Sequence, residues 1–514
     1  MVTSVNQRYV EGNIWRYNPT ADGAADDTPA FAAMIASGAP DLVLENGTFS
    51  IAGTHVLAAD RTRLSTRNAV IKVRDETGAG YGVIKLTGND CHVDVVIDHN
   101  GLGTGGVGVT GDRNYVKAIG SNLVGSAASS SSESVVRNEG HDTVIWAEGY
   151  NLSPRAGRGA VPRLVTCQGH GSGTRIEMLK GRNIYDGLVM SAHSDVTVAA
   201  VDIDGCGDNP FYILSTARGL KVLGGRCRDF GEICFKGNDH ELSNVSFEDF
   251  LISTIENVNR LVFRNCRFRH TDATRATSVI ATRATNTESS DITLENCQAE
   301  VNVGNSGLAH FSVGAVNGFK VIGGRYKLTW TDRTSAKARI VTHANAARSL
   351  TYKDATIQLE DARTPRLTGA NILNWDIPTL SQTSLWDGCQ VINNTAAIVR
   401  VGSVGGIIQP HLQVQGDSLR VRWSTAAPST GTWAVGDVVF NSAGSPGEPR
   451  SWVCTRAGRP GTWMPVRQSG VRSGPRSPVG TVVPVAIGEI YVRTGGPTLW
   501  MSTGLGRGDW LQVG

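Results

Sequence analysis

A short pattern that returns every 20 to 34 residues through the middle of the chain constrains its fold most strongly. Each instance has a glycine, asparagine or aspartate, then a small or apolar residue, a spacer and another apolar residue. The instances begin at Gly224, Asn244, Asn265, Asn296, Gly323, Asp354 and Gly388. Because these three residue types tolerate a left-handed backbone, each instance predicts a tight corner followed by a short strand.

Apolar runs with a period of two precede most of these corners, as at residues 220–223 and 319–322. Short strands, regular corners and no helical period between them predict an all-β chain folded as a parallel β-helix, in which each coil stacks on its neighbours. A two-sheet sandwich is disfavoured because it would show turn signals about every 8 to 12 residues.

Length and charge narrow the class of protein. A chain of 514 residues suits one solenoid with small appendages. Its 49 basic and 46 acidic residues give a net charge of +3, which argues against a nucleic-acid partner. The start of the chain has no apolar core of signal-peptide length, and no apolar run is long enough to span a membrane. We therefore expect synthesis in the cytoplasm and no membrane insertion.

The cysteines and aspartates predict neither a metal nor a cofactor. The nine cysteines contain no CxxC pair, so neither a zinc site nor a disulfide framework is indicated. The spacing of Asp202, Asp204 and Asp208 departs from a calcium-binding EF-hand loop. Cys266, Cys297 and Cys389 share one repeat position, which predicts stacked, buried thiols.

The N-terminal region carries a family resemblance. Residues 22–35 and 42–51 look like the opening of pectate-lyase-like β-helix proteins, which include phage tailspikes. The segment 46–49, Asn-Gly-Thr-Phe, resembles the family's Pro-Gly-Thr-Tyr turn, and 95–101 resembles its Ile-Asp-Gly-Asn-Gly turn. Locally, Thr28 is predicted as the N-cap of a short helix, and Pro29 fits its first helical position. Residues 30–37 make up this helix, which we expect to cover the end of the solenoid.

This resemblance covers about residues 15–410 and implies a right-handed parallel β-helix. Proteins of this kind include polysaccharide lyases, glycoside hydrolases, epimerases and phage depolymerases. By resemblance, we expect a phage tailspike-like protein that binds and cleaves bacterial surface polysaccharide. The same resemblance implies a virion location, a homotrimer and phage tail or baseplate proteins as partners.

Acidic residues follow the corner strand in three successive coils: Asp204 and Asp208, then Asp229 and Glu232, then Glu248 and Asp249. Aligned by the repeat, they form two predicted columns, one of Asp204, Asp229 and Glu248 and one of Asp208 and Glu232. Neighbouring coils lie about 4.8 Å apart. Carboxyl pairs are thus able to reach the roughly 5 to 5.5 Å of a retaining glycosidase or the roughly 6.5 to 9.5 Å of an inverting one.

We predict from this cluster a hydrolase with the catalytic residues Asp204, Asp208, Asp229 and Glu232. Like charges at this spacing raise at least one pKa, as a general acid requires. The residues predicted to bind substrate are Glu248, Asp249, Lys236 and His240. The structural alternative is that the acidic residues are solvated turn aspartates satisfied by backbone amides.

Two other functions stay open at this point. A polysaccharide lyase would need a base to take the proton next to a uronate carboxylate, and the nearby candidates are Lys236, His240, Arg228 and His193. A non-catalytic receptor-binding or structural spike would only adhere to glycan. Unsaturated uronate products distinguish the lyase, and binding without cleavage distinguishes the spike.

The repeat fades after about residue 415, where tryptophans become frequent. Trp452 and Trp463 are 11 residues apart, and Trp500 and Trp510 are 10 apart in a second, similar unit. These units resemble the short β modules that end many phage tail proteins, and their tryptophans are predicted to form module cores. The predicted divisions are an N-terminal cap (1–50), a β-helix body (51–414), a first module (415–466), a linker (467–480) and a second module (481–514).

Overall fold

The computed structural model describes residues 6–76, 82–125, 133–154, 161–271, 280–282, 289–303, 311–313, 316–330, 337–343, 350–361, 372–375, 384–387, 389–394, 398–401, 413–416, 421–430, 433, 435, 438–441, 449, 451–466, 472–484, 490–493, 498–502 and 505–512. The chain divides into two compact units, one formed mainly by residues before 390 and the other mainly by residues after 410.

The helices are a 3-10 helix, Ile14–Tyr17, and α1, Thr28–Ala36. In chain order the strands of the first unit are β1 (Asp22–Asp26), β2 (Asp41–Ile51), β3 (His55–Leu57), β4 (Arg63–Val73), β5 (Ile84–Leu86), β6 (His92–Asp98), β7 (Val107–Val109), β8 (Tyr115–Ser121), β9 (Ser134–Asn138), β10 (Val144–Tyr150), β11 (Arg163–Cys167), β12 (Arg175–Ile184), β13 (Asp186–Met190), β14 (Thr197–Val198), β15 (Val201–Cys206), β16 (Phe211–Ile213), β17 (Lys221–Val222), β18 (Gly225–Ser243), β19 (Val245–Arg264), β20 (Arg267–Arg269), β21 (Ile280–Thr282), β22 (Ser289–Glu295), β23 (Gln298–Val303), β24 (Phe311–Val313), β25 (Val316–Ile322), β26 (Arg325–Trp330), β27 (Lys337–His343), β28 (Leu350–Lys353), β29 (Thr356–Asp361), β30 (Ile372–Trp375) and β31 (Ser384–Asp387).

The remaining strands are β32 (Gln390–Asn393), β33 (Ile398–Val401), β34 (Gln413–Gly416), β35 (Val421–Ser424), β36 (Val438–Asn441), β37 (Ser451–Arg456), β38 (Thr462–Val466), β39 (Arg472–Gly474), β40 (Ile490–Arg493), β41 (Thr498–Ser502) and β42 (Trp510–Gln512).

The first unit is a parallel β-helix, which confirms the predicted fold class. The strands pair in parallel with strands one coil further along, in one continuous 34-stranded sheet that follows three faces of the solenoid, called here sheets 1, 2 and 3. Sheet 1 contains β15 and the start of β18, where Ile203 lies opposite Cys227. Sheet 2 contains β11, β13, β16 and the middle of β18. Sheet 3 contains β14, β17 and the end of β18.

Left-handed residues form the corners, as the repeat predicts. The corners with φ between 51° and 65° are Asn244, Asn265, Asn296, Gly323 and Asp354. At the first instance the left-handed residue is Gly225 rather than Gly224, with φ of 127°. A Cβ atom on Gly225 would lie 2.0 Å from the carbonyl oxygen of Val201, so this position requires glycine. Gly388 lies outside the described residues.

A second column of left-handed residues ends sheet 1 and turns the chain toward sheet 2. Its members are Asn122, Asn151, Asn183, Gly205, Asp229 and Asp249. Asparagine and aspartate adopt this backbone at lower cost than other residues with a Cβ atom, because their short polar side chains bond locally. The column therefore fixes where each coil leaves sheet 1 and where the first residues of sheet 2 lie.

Phenylalanines fill the interior of the coils between residues 211 and 268. The fully buried rings are Phe211, Phe230, Phe235, Phe247, Phe250, Phe263 and Phe268. Phe230 and Phe250 stack on successive coils with ring centroids 5.7 Å apart. The cysteines Cys266, Cys297 and Cys389 are also buried, which confirms their predicted burial. Dense aromatic packing inside these coils gives the outer surface a rigid support.

Helix α1 begins at Thr28, so the prediction of Thr28 as its N-cap is wrong. Asp27 is the N-cap residue, and its buried carboxylate accepts hydrogen bonds from the backbone amides of Thr20 and Ser50. The Thr28 hydroxyl accepts from the amide of Ala52 at 2.9 Å. Both side chains thus tie the helix start to the first coil. Among the described residues, no helix has the length and apolarity to cross a membrane.

Two four-stranded sheets, β35 to β38 and β39 to β42, lie near the C-terminus. In each, the first pair of strands is parallel and the later pairs are antiparallel. The first buries Trp433 beside Cys454, with Trp452 and Trp463 packed against them, and the second buries Trp500 and Trp510 with a tyrosine. These tryptophans form the module cores, as predicted. The predicted domain boundaries stay predictions.

Candidate active site

A cavity of about 330 Å³ opens beside sheet 2, where residues from several successive coils meet. Its lining comes from the start of β11 and β13, from β16, from the middle of β18 and β19, and from the connections that precede β11, β13 and β16. The lining residues are Val161, Arg163, Tyr185, Asp186, Asp208, Asn209, Tyr212, Glu232, Cys234, Lys236, Thr254 and Glu256. All lie in the first unit, and the set is rich in carboxyl groups.

Asp208 and Glu232 are neighbours in this cavity because their backbones are hydrogen-bonded. The amides of Gly231 and Glu232 both donate to the carbonyl oxygen of Asp208, at 3.0 and 2.8 Å. This contact places the two residues on successive coils with both side chains lining the cavity. Burial raises the pKa of Asp208, and the negative charge of Glu232 adds to the increase.

Asp186 supplies a third carboxyl group, at the start of β13 and only 3% exposed. Arg163 of β11 lies opposite it in register, with the guanidinium Nε 3.9 Å from the carboxylate Oδ2. The amide of Asn209 donates to Asp186 Oδ1 at 3.3 Å. Burial raises the pKa of Asp186 to about 6, opposed by the Asn209 hydrogen bond and assisted by the charge of Asp208.

An ion pair lines another part of the cavity. Lys236 Nζ lies 2.9 Å from Glu256 Oε2. This hydrogen bond raises the pKa of Lys236, so the ammonium group stays protonated. In sheet 2, Tyr212 lies opposite Cys234, and Cys234 lies opposite Thr254. The cavity therefore combines carboxyl groups, the ion pair of Lys236 with Glu256, and neutral polar side chains.

The three carboxyl groups have the properties of an acid and base pair with a further buried neighbour. Raised pKa values keep protons on carboxyl groups closer to neutral pH, which a general acid requires. Glu232 lies on the same cavity wall and is the group whose charge disfavours ionisation of Asp208.

The predicted column of Asp204, Asp229 and Glu248 is wrong. The strand register pairs Asp204 with Arg228, and Arg228 with Glu248, so charges alternate along sheet 1. Asp229 lies one residue later, at the left-handed corner with φ of 49°. Neither Asp204 nor Asp229 is among the residues that line the cavity. The alignment failed because Arg228, not Asp229, directly follows Cys227.

Of the residues predicted to bind substrate, Lys236 lines the cavity and the others do not. Glu248 pairs with Arg226 at 3.2 Å. Asp249 is a buried corner residue that accepts hydrogen bonds from Thr271. His240 is fully buried, with one ring nitrogen at the carbonyl of Lys236 and the other at the amide of Leu220. These contacts indicate structural roles for Asp249 and His240.

Sequence analysis missed Asp186, although the repeat contains a signal for it. Gly181, Ile203 and Cys227 are partners in the strand register. The residue five positions after each is Asp186, Asp208 and Glu232 respectively. The apolar repeat did not extend to this earlier coil because glycine stands at position 181. Arg163, Asn209, Thr254 and Glu256 carry no comparable sequence signal.

Fold and cavity together define a parallel β-helix protein with a carboxylate-lined surface cavity, and the family resemblance seen in the sequence is confirmed at the level of the fold. No protein-family model and no curated protein sequence matches the chain.

Several solved structures are similar to the chain. The Pseudomonas phage phi297 tailspike gp61 is 11% identical over 74% of this chain and 80% of its own, with a TM-score of 0.44. The alginate lyase AlyF-OU02 is 12% identical over 79% and 89%, with a TM-score of 0.43. The Azotobacter vinelandii mannuronan C-5 epimerase AlgE6 A-module is 12% identical over 76% and 100%, with a TM-score of 0.40. The likeness concerns the fold alone.

Proposed function

We propose that the protein is a glycoside hydrolase that binds and cleaves bacterial surface polysaccharide. The observation that carries the proposal is the cavity in which Asp186, Asp208 and Glu232 gather on successive coils. The choice of bacterial polysaccharide, a virion location, a homotrimer and phage tail partners rests on the sequence resemblance to phage β-helix proteins.

In the proposed reaction, Asp208 is the general acid and Glu232 is the base or nucleophile. Asp208 donates its proton to the glycosidic oxygen as the bond to the anomeric carbon breaks. Glu232 either takes a proton from the attacking water or attacks the anomeric carbon itself, and the two routes give inverted or retained products. Asp186 is a positioning residue, because its carboxylate accepts a hydrogen bond from the backbone amide of Asn209, the residue that directly follows Asp208.

Elimination is disfavoured because the candidate bases are unsuitable. The ion pair with Glu256 holds Lys236 protonated, and a protonated amine takes no further proton. His240 and His193 are buried, with their ring nitrogens engaged. Arg228 is a guanidinium group, which stays protonated in proteins. Hydrolysis therefore accounts better for the groups that line the cavity.

The test is cleavage of a panel of bacterial surface polysaccharides, followed by reducing ends and by the ultraviolet absorbance of unsaturated uronates. We expect reducing ends alone. Asp208→Asn and Glu232→Gln are each expected to slow cleavage by about 10²-fold to 10⁴-fold, because each removes a proton-transfer or nucleophilic group. Asp204→Asn is the matched control, since this carboxyl lies outside the cavity lining, and it should stay within about twofold of wild type.

Unsaturated uronate products would show that the protein is a lyase and not a hydrolase. Binding without any cleavage would indicate an adhesive spike. Cleavage that survives both carboxyl substitutions would show that the cavity is not the active site.

A further inference from the structure

Three buried polar atoms in the cavity have no hydrogen-bond partner among the described residues: Arg163 Nε, Asn209 Oδ1 and Thr254 Oγ1. Asn209 and Thr254 are only 5% and 2% exposed. Buried polar atoms are nearly always paired in native proteins, and leaving one unpaired is costly. Three such atoms in one cavity are a concentration that points to a bound ligand.

The chemistry of these atoms indicates what the ligand offers. Arg163 Nε is a donor, Asn209 Oδ1 is an acceptor, and the Thr254 hydroxyl is able to do both. A sugar hydroxyl also donates and accepts, so a ring with several hydroxyl groups satisfies all three atoms. An apolar ligand would leave them unpaired.

The charges of the described lining residues disfavour an anionic ring at this position. Four carboxyl groups, those of Asp186, Asp208, Glu232 and Glu256, face two cationic groups, those of Arg163 and Lys236. The formal balance is −2 when every carboxyl is ionised. Lys236 is already held by Glu256, and Arg163 faces Asp186. A uronate carboxylate would therefore meet like charges, and both cationic groups of the described lining already face a carboxylate.

We propose that the cavity is the subsite for an uncharged, hydroxyl-rich pyranose ring, that Asn209, Thr254 and Arg163 bind its hydroxyl groups, and that the surrounding carboxyl groups disfavour the corresponding uronate. The inference rests on the proposed hydrolase function, because it assigns the sugar ring held beside Asp208 and Glu232. It narrows the substrate class to polysaccharides with a neutral residue at the cleaved linkage.

The test measures binding of the full-length protein to matched pairs of methyl glycosides by calorimetry or saturation-transfer NMR. Each pair consists of a neutral methyl pyranoside and the methyl uronide of the same configuration. At least one neutral glycoside should bind about tenfold or more tightly than its uronide, because the uronide adds a repelled charge. No binding by any neutral glycoside, or equal binding of the uronides, overturns the inference.

Two variants locate the binding in the cavity. Thr254→Val keeps the shape of the side chain and removes its hydroxyl, and Asn209→Asp replaces a neutral acceptor by a further negative charge. Each should weaken the binding of the neutral glycoside by about tenfold. Thr197→Val, on β14 of sheet 3 and outside the cavity lining, is the matched control and should bind as wild type does. Unchanged binding by both cavity variants overturns the inference.

Failure of the inference is distinct from failure of the proposed function. If cleavage requires Asp208 and Glu232 but occurs at a uronate linkage, the hydrolase stands and the neutral subsite is wrong. If cleavage is independent of both carboxyl groups, the hydrolase site fails, whichever glycoside binds.

Discussion

Replacing Asp186 by asparagine is expected to stabilise the β-helix at neutral pH and to reduce its activity. Folding raises the pKa of Asp186 from 3.8 to about 6, chiefly through burial. Between these values the folded chain binds more protons than the unfolded chain, so this residue lowers the free energy of unfolding as pH rises. At 1.36 kcal/mol per pKa unit, the destabilisation reaches about 3 kcal/mol above pH 6.

Asparagine resembles the protonated form of Asp186 in shape and charge, and it keeps an acceptor for the Asn209 amide. The variant therefore escapes the destabilisation that ionisation causes. We expect the difference in unfolding free energy, variant minus wild type, to increase by about 2 to 3 kcal/mol between pH 4 and pH 8. A constant offset from other contacts of asparagine cancels in this comparison across pH.

The assay is unfolding followed by circular dichroism at matched pH values. With an unfolding entropy of about 2.1 cal/mol/K per residue over roughly 400 residues, the change corresponds to about 3 °C in Tm. Wild type and Asp186→Asn must be compared at each pH, because other groups also titrate. Burial lowers the pKa of His99 and of His240 to about 4. Both proteins therefore lose stability as pH falls from 6.5 to 4.

Thr197→Val, which changes no titratable group, is the control for this experiment, and its difference from wild type should stay flat across the same pH range. A difference for Asp186→Asn that is constant from pH 4 to pH 8, or that decreases as pH rises, would refute the assignment of a raised pKa to the buried carboxyl.

Two further predictions concern structural residues. Asp229→Val should destabilise the chain by about 1 to 2 kcal/mol, because a β-branched residue is strained at a left-handed corner, whereas Asp229→Gly should cost less than half as much. Denaturant unfolding measures both losses of stability, and equal losses would contradict a backbone origin. His240→Gln should reduce the loss of stability between pH 6.5 and pH 4 by about 3 kcal/mol, since the variant has no buried neutral histidine to protonate. The free energy of unfolding at both pH values tests the prediction, and an unchanged loss of stability in acid would contradict it.

The fold was predictable because its determinants are local. A left-handed backbone is accessible at low cost to only three residue types, so residues such as Asn265 and Asp354 mark corners wherever the chain turns. The interval between them then gives the coil length directly. The error at the first corner, where Gly225 rather than Gly224 is left-handed, arose because two adjacent glycines both permit the turn.

The cavity was only partly predictable, because its residues lie at different positions within several separate coils. Asp208 and Glu232 were found since both follow an apolar repeat residue at the same interval. Whether Arg228 or Asp229 aligns with Asp204 depends on the backbone pairing of the strands. A shift of one residue in that pairing exchanges a strand position for a corner position. Thr254 and Glu256 are ordinary strand residues, and only the stacking of coils brings them beside the carboxyl groups.

The charges beside the cavity differ from those on the surrounding coils, and this difference supports a functional origin. Elsewhere opposite charges meet on neighbouring coils, as for Arg182 with Asp202, or for Arg264 between Glu241 and Glu295. At the cavity, Asp186, Asp208 and Glu232 follow one another at the same repeat position. Such an arrangement lowers stability, and local departures of this kind concentrate at functional sites. Stability gained and activity lost should therefore coincide in Asp186→Asn, whereas a purely structural carboxyl would give the first without the second.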